Sequence, residues 1–152
     1  MRVFGSLEEL TLATGEDLGF SDWVTIGQDK VQWFADATGD DHWIHLDAER
    51  ATGAGYGGTL VHGFLTLALI ADFMGQIFRV GDVHLVLNYG LDRVRFPAPV
   101  PTGSRLRASA ALVGVQPVVR GGKVTVRYTV EAEGIERPAC VADHHTMQFV
   151  AS

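Results

Sequence analysis

The segment His62–Phe78, HGFLTLALIADFMGQIF, constrains the fold more than any other part of the chain. It has no proline, carries one carboxylate, Asp72, and is apolar on nearly every side of a 3.6-residue period. A helix of that kind is buried all round rather than packed along one stripe, so the rest of the chain must wrap it. After Gly81 the sequence supplies the wrapping. Val83–Phe96, Arg105–Val115, Val124–Glu133 and Cys140–Val150 are rich in β-branched residues, with clear alternation at Val124, Val126, Tyr128 and Val130. The breaks at Phe96-Pro97-Ala98-Pro99, Gly121-Gly122 and Gly134–Pro138 predict an antiparallel meander following the helix.

Long curved strands around a central helix make an α+β hot-dog domain. A chain of 152 residues suits one such domain with a sizeable core, and no repeat, linker or low-complexity segment divides residues 1–152. Upstream of the central helix the elements are short. Ser6 followed by Glu9 reads as a capping box, predicting a helix from Leu7 to about Thr14. Asp22–Ile26 is a strand candidate. Val31, Phe34, Ala35 and Thr38 fall at helical spacing, and Gly39 stops that helix, delivering Asp40 into a loop. Asp47 is a candidate N-cap for a helix over Ala48–Thr52, and Gly53, Gly55, Gly57 and Gly58 crowd a turn.

The balance of 12 basic and 18 acidic residues, net -6, argues against a nucleic-acid surface. Arg93, Arg95, Arg105, Arg107, Arg120 and Lys123 form the one basic concentration; solvated strand faces or a local phosphate contact both account for it. The longest apolar stretch, Phe64–Ala71, is too short to span a membrane. MRVFGSLEEL lacks the apolar core and cleavage site of a secretion signal. The lone Cys140 sits in an apolar run and is expected to be an inert buried thiol; with no second cysteine the chain fits a reducing cytoplasm.

The densest chemistry is Thr38-Gly39-Asp40-Asp41-His42-Trp43-Ile44-His45. Asp40 and His45, five residues apart after a helix stop, can converge on one water; imidazole shuttles protons near neutral pH. Taken alone this is a weak signal, because loop Asp and His residues usually cap helices or meet solvent. The second element is Gly57-Gly58-Thr59-Leu60-Val61-His62-Gly63-Phe64, a glycine-rich turn opening the apolar helix. A free helix N-terminus there can hold an oxyanion, with Gly63 admitting close approach, or Gly63 merely permits tight packing. A metal set from Asp40, Asp41, His42 and His45 lacks a distant ligand to complete it, so no metal is expected.

FADATGDDHWIH followed by GGTLVHGF resembles the MaoC-like dehydratases, or (R)-specific enoyl-CoA hydratases. Their motif runs aromatic, then S/T/G-G-D-x-N-P-x-H; Phe34, Gly39, Asp40 and His45 match it, while His42-Trp43 stands in place of Asn-Pro. Tryptophan there is similar to the nodulation-protein-N-like branch, which includes 3-hydroxyacyl-thioester dehydratases. The likeness extends to Asn88-Tyr89-Gly90-Leu91 and Arg93–Pro101. The resemblance implies reversible hydration of an enoyl thioester by a water held between Asp40 and His45, with the Gly63 N–H on the thioester oxygen. It implies no metal or redox cofactor, coenzyme A only as part of the substrate, and a homodimer with central helices side by side. His62, Trp43, Asn88 and Tyr89 are further candidates for substrate contact, although His62 also reads as a structural residue of the turn, Trp43 as a loop anchor, and Asn88 and Tyr89 as ordinary strand residues. His144 and His145, on opposite faces of the last strand, are expected to include at most one buried and no catalytic residue.

Two other functions compete. A hot-dog thioesterase carries a carboxylate on the central helix, but Asp72 lies nine residues past Gly63, roughly 13 Å along a helix. A non-catalytic acyl-thioester binding module is the other, and the presence of both Asp40 and His45 speaks against it.

Overall fold

A computed structural model describes residues 1–151. Short elements come first: β1 (Arg2–Phe4), α1 (Leu7–Leu12), β2 (Asp17–Phe20), β3 (Val24–Thr25), α2 (Gln28–Thr38), α3 (Trp43–Leu46) and α4 (Ala48–Gly53). The central helix follows as α5 (Gly63–Ala68) and α6 (Ile70–Ile77), joined through Leu69. Leu69 keeps helical dihedrals, and bonds from Leu69 N to Leu65 O and from Phe73 N to Leu69 O carry the ladder across the joint. Then come β4 (Phe78–Val80) and the long strands β5 (Val83–Arg95), β6 (Arg105–Val118), β7 (Gly121–Ala132) and β8 (Cys140–Val150).

Alternation along β6 and β7 turns Leu106, Ala108, Ala110, Leu112, Val124, Val126, Tyr128 and Val130 inward, all buried. They pack with Ile70, Phe73 and Ile77 of the helix and with Leu10, Leu18, Ile26 and Val31 from the N-terminal elements. This is the hot-dog arrangement, helix against a curved antiparallel sheet.

The meander is only partly realised. The order is β2-β6-β7-β8-β5, with β3 also on β6, so β5 pairs with β8 and not with its chain neighbour β6. The link between them explains why. Pro97, Pro99 and Pro101 supply no amide hydrogen, so Phe96–Ser104 cannot close a hairpin. It crosses extended instead, held by Ala98 N to Pro138 O and Val61 N to Val100 O. Other short elements also depart from expectation. Helix α1 stops at Leu12, the strand expected over Asp22–Ile26 shrinks to two residues, and β1, β2 and β4 had no clear signal. The capping box is shifted: Ser6 Oγ accepts from Glu9 N, while the Glu9 carboxylate takes the Gly5 N–H rather than that of Ser6.

The central helix is not buried all round within this chain. Phe64, Ala68, Ala71, Asp72 and Gly75 are exposed, at helical spacing along one side. Beside them, β5 is open too: Leu85, Val86, Leu87, Tyr89 and Leu91 are each more than two-fifths exposed. The apolarity of these segments is thus only partly consumed by their own sheet. Among the described residues no helix is long and apolar enough to cross a membrane.

Candidate active site

Helix α2 ends in a left-handed Gly39 (φ 77°), whose N–H caps back onto Ala35 O. Thr38 Oγ1 donates to Phe34 O and accepts from Asp40 N, which fixes where the chain leaves the helix. Asp40, Asp41 and His42 form the expected loop, and the residues after them close one helical turn, α3. That turn is fastened to the segment before α5. Leu60 N donates to Ile44 O at 3.0 Å, and Gln28 bridges the two, donating to His45 O and accepting from Thr59 Oγ1.

His45 Nδ1 lies 2.8 Å from the carbonyl of Leu60. A carbonyl only accepts, so Nδ1 carries the proton and Nε2 of the neutral ring carries a lone pair. His62 is arranged alike: its Nε2 lies 2.9 Å from Asp40 O, so that nitrogen donates. The two imidazoles stack, centroids 3.8 Å apart and planes 26° apart. Donor atoms of Asp40, His45 and His62 all fall within 4.8 Å of one another. That spacing leaves Asp40 and His45 near enough for one water to bridge them.

Burial pulls the His45 pKa below the ordinary imidazole value; the Leu60 hydrogen bond opposes this, His62 and His42 reinforce it, and the Asp40 charge opposes it. His45 is therefore poised as a proton acceptor near neutral pH. The same three donors form the set best placed to hold a cation.

His62 is the residue before α5, so the stack sets His45 beside the start of the central helix. Gly63 is the first helical residue, and its N–H has no intrahelical acceptor. The packing interpretation of Gly63 also holds. A Cβ there would come within 3.2 Å of the Phe96 ring, which covers the face that glycine leaves bare.

The remaining candidates divide. Trp43 stands under the Arg50 guanidinium, 4.5 Å from its ring centroid, and beside His42; these are the contacts of a loop anchor. Asn88 and Tyr89 belong to β5. They line a cavity of about 380 Å³ with Phe64, Leu67, Ala71 and His144, between the helix and β5. This cavity does not include the histidine stack but begins one residue past Gly63. His144 is the cavity-lining residue that strand alternation alone could not single out. It is buried, and its Nε2 donates to Asn88 Oδ1 at 3.1 Å. Asp72, the thioesterase candidate, is exposed and accepts from Gln76 Nε2 at 2.8 Å. Of the basic residues, Arg105 and Arg107 pair with Glu133 and Glu131 across neighbouring strands, as solvated strand faces do. Cys140 is buried, which pushes its thiol up to about 11 and leaves it a poor nucleophile.

Comparison with known proteins gives the family and the fold. The family model described as "MaoC like domain" matches residues 9–134. The chain is 54% identical over 144 residues to 3-hydroxyacyl-thioester dehydratase Z of Mycobacterium tuberculosis (strain H37Rv), covering 94% of this chain and 95% of the relative. It is 43% identical over 148 residues to nodulation protein N of Rhizobium leguminosarum bv. viciae, covering 93% and 90%. The monoamine oxidase regulatory protein from Archaeoglobus fulgius superposes with a TM-score of 0.80 at 24% identity, over 99% of this chain and 98% of that one. R-hydratase PhaJ1 from Pseudomonas aeruginosa gives 0.73 at 20%, over 91% and 83%. Asp40 and His45 meet beside the free end of a central helix in a hot-dog fold, and the chain belongs to the MaoC-like dehydratase family.

Proposed function

We propose that this protein reversibly hydrates trans-2-enoyl thioesters to (R)-3-hydroxyacyl thioesters, with Asp40 and His45 as the catalytic pair. The observation that carries this is the His45 tautomer. With Nδ1–H committed to Leu60 O, the Nε2 lone pair is free to accept a proton, and a ring nitrogen of His45 lies within 4.8 Å of an Asp40 carboxylate oxygen. Water held between them loses a proton to His45 Nε2 while its oxygen bonds to Cβ of the enoyl group. The double-bond pair shifts to Cα and, through it, charge builds on the thioester oxygen, where the Gly63 N–H receives it. The proton is then delivered to Cα on the same face, and water has been added across the bond. The names of the relatives, a 3-hydroxyacyl-thioester dehydratase and an R-hydratase, support both the reaction and its stereochemistry.

The thioester already activates Cβ, so the chemistry calls for no metal or redox cofactor, and coenzyme A or an acyl carrier enters as part of the substrate. The apolar cavity of about 380 Å³ past Gly63 suits an acyl chain, with Asn88, Tyr89 and His144 on its wall. The working form is a homodimer. Phe64, Ala68, Ala71 and Gly75 recur along one side of the central helix, and the last three are small enough for a second helix to approach. The strand beside them, β5, is a sheet edge with apolar side chains bare on both faces, an arrangement that soluble proteins normally cover.

The direct test follows enoyl absorbance on mixing the protein with crotonyl-CoA, with chiral analysis of product and an assay for free thiol. Loss of absorbance giving (R)-3-hydroxybutyryl-CoA without thiol release is the expected outcome. Thiol release, or no change with this and longer enoyl-CoAs, would overturn the proposal in favour of hydrolysis or simple binding.

A further inference from the structure

Asp40, His45 and Gly63 come from three separate elements, and one buried side chain touches the first two and immediately precedes the third. His62 is 1% exposed. One face of its ring lies on His45 at 3.8 Å, and the Phe34 ring sits 5.0 Å from it. Its Nε2–H holds the backbone carbonyl of Asp40 at 2.9 Å. Its own carbonyl accepts from Thr66 N and Thr66 Oγ1 inside the central helix. Nδ1 is buried with no hydrogen-bond partner among the described residues. A buried polar atom left unpaired costs stability, on the order of 1–3 kcal/mol. Leucine or phenylalanine would pack here without that cost. What they lack is the Nε2 donor that reaches Asp40 O.

Resting on the hydration reading above, we infer that His62 is a positioning residue of the catalytic centre. Its N–H sets the Asp40 backbone and its ring face sets the plane of His45, so that both groups meet one water. It does not contact substrate, because the ring is enclosed by His45, Phe34 and the start of the helix. Of the two readings of His62 in the sequence, its burial favours a structural residue of the turn over a substrate contact. The positioning role also accounts for how a shallow, partly exposed loop holds a geometry in which errors of about an ångström cost roughly a hundredfold in rate. The groups facing His45 are His62 from the central helix, Asp40 from the loop after α2, and His42 from its own turn. Replacing the His62 ring by a smaller side chain removes one of the influences that hold the His45 pKa down and admits water to its face.

Two variants separate the contacts. His62→Gln keeps a donor near the position of Nε2 and loses the ring face; His62→Phe keeps the ring face and loses the donor. For both, kcat for enoyl-thioester hydration is expected to fall ~10- to 100-fold with KM changed less than about threefold. In His62→Gln the acid limb of the rate profile, and the titration of His45 followed by 15N NMR, should move to higher pH. A purely structural role predicts lowered melting temperature with kcat, acid limb and titration unmoved, and that result would overturn the inference. So would 15N shifts in the wild-type protein that place the His62 proton on Nδ1, a measurement independent of whether either variant folds. If wild type hydrates no enoyl thioester while the His45 titration still moves in His62→Gln, the proposed reaction fails and the positioning role stands.

Discussion

The His45 and Leu60 relationship determines what the site can do: the imidazole Nδ1 lies 2.8 Å from the Leu60 carbonyl, which leaves Nε2 as the only nitrogen able to accept a proton. Sequence places these residues fifteen positions apart on either side of a glycine-rich turn, and the hydrogen bond from Leu60 N to Ile44 O closes that distance.

The pH dependence of hydration follows from that tautomer. His45 acts as acceptor only when unprotonated, and its burial holds its pKa below the ordinary value of 6.5. Activity should therefore rise with pH through a midpoint below that value and be flat by neutrality. A kcat/KM profile between pH 4.5 and 8 checks it, and an acid limb centred above 6.5 would contradict it.

Acid should also destabilise the fold. His45 and His144 are held low by burial, and Asp143 is held low by its hydrogen bonds to Arg127. In each case the unfolded chain binds protons more readily than the native one, so stability rises with pH through these transitions and is lost as pH falls. The melting temperature is expected to decrease on moving from pH 7 to 5 through the two histidines, and Asp143→Asn should remove only the further decrease that sets in below about pH 5.

Gly63 offers a way to test the oxyanion donor separately from packing. His62, with φ -59° and ψ 137°, already has the conformation that a following proline requires. Proline is also well tolerated at the first helical position. Gly63→Ala brings a Cβ against Phe96 but keeps the N–H; Gly63→Pro adds similar bulk and removes it. Steady-state rates should show the proline variant about 100-fold below the alanine variant in kcat.

The exposed stripe on the central helix should be an interface. Light scattering on the purified protein is expected to give twice the chain mass of 16.4 kDa. Gly75→Arg, on that stripe but outside the cavity assigned to the acyl chain, should yield a monomer with greatly reduced activity.

Much of this was legible in the sequence where a local signal was strong. The bounds of β8, the stop of α2 at Thr38 with Gly39 behind it, and the Asp47 cap on α4, which accepts from Arg50 N, all follow from alternation or cap chemistry. What was not legible depends on distant partners. Alternation marks β5 as a strand but does not say that it lies beside β8 rather than β6. Hydropathy marks the central helix as needing cover but does not distinguish this chain's sheet from a second copy. The turn Trp43–Leu46 is too short for periodicity to detect. The role of His62 depends on a ring stacked across seventeen residues of chain, and its spacing from His45 carries no helical or strand signature.

Hydration of crotonyl-CoA by Asp40→Asn and His45→Gln, measured beside wild type with circular dichroism on all three, bears most directly on the catalytic pair. Each variant is expected to keep the wild-type spectrum and lose roughly 100- to 10,000-fold in kcat. Near-normal turnover in either folded variant would show that the water is activated elsewhere.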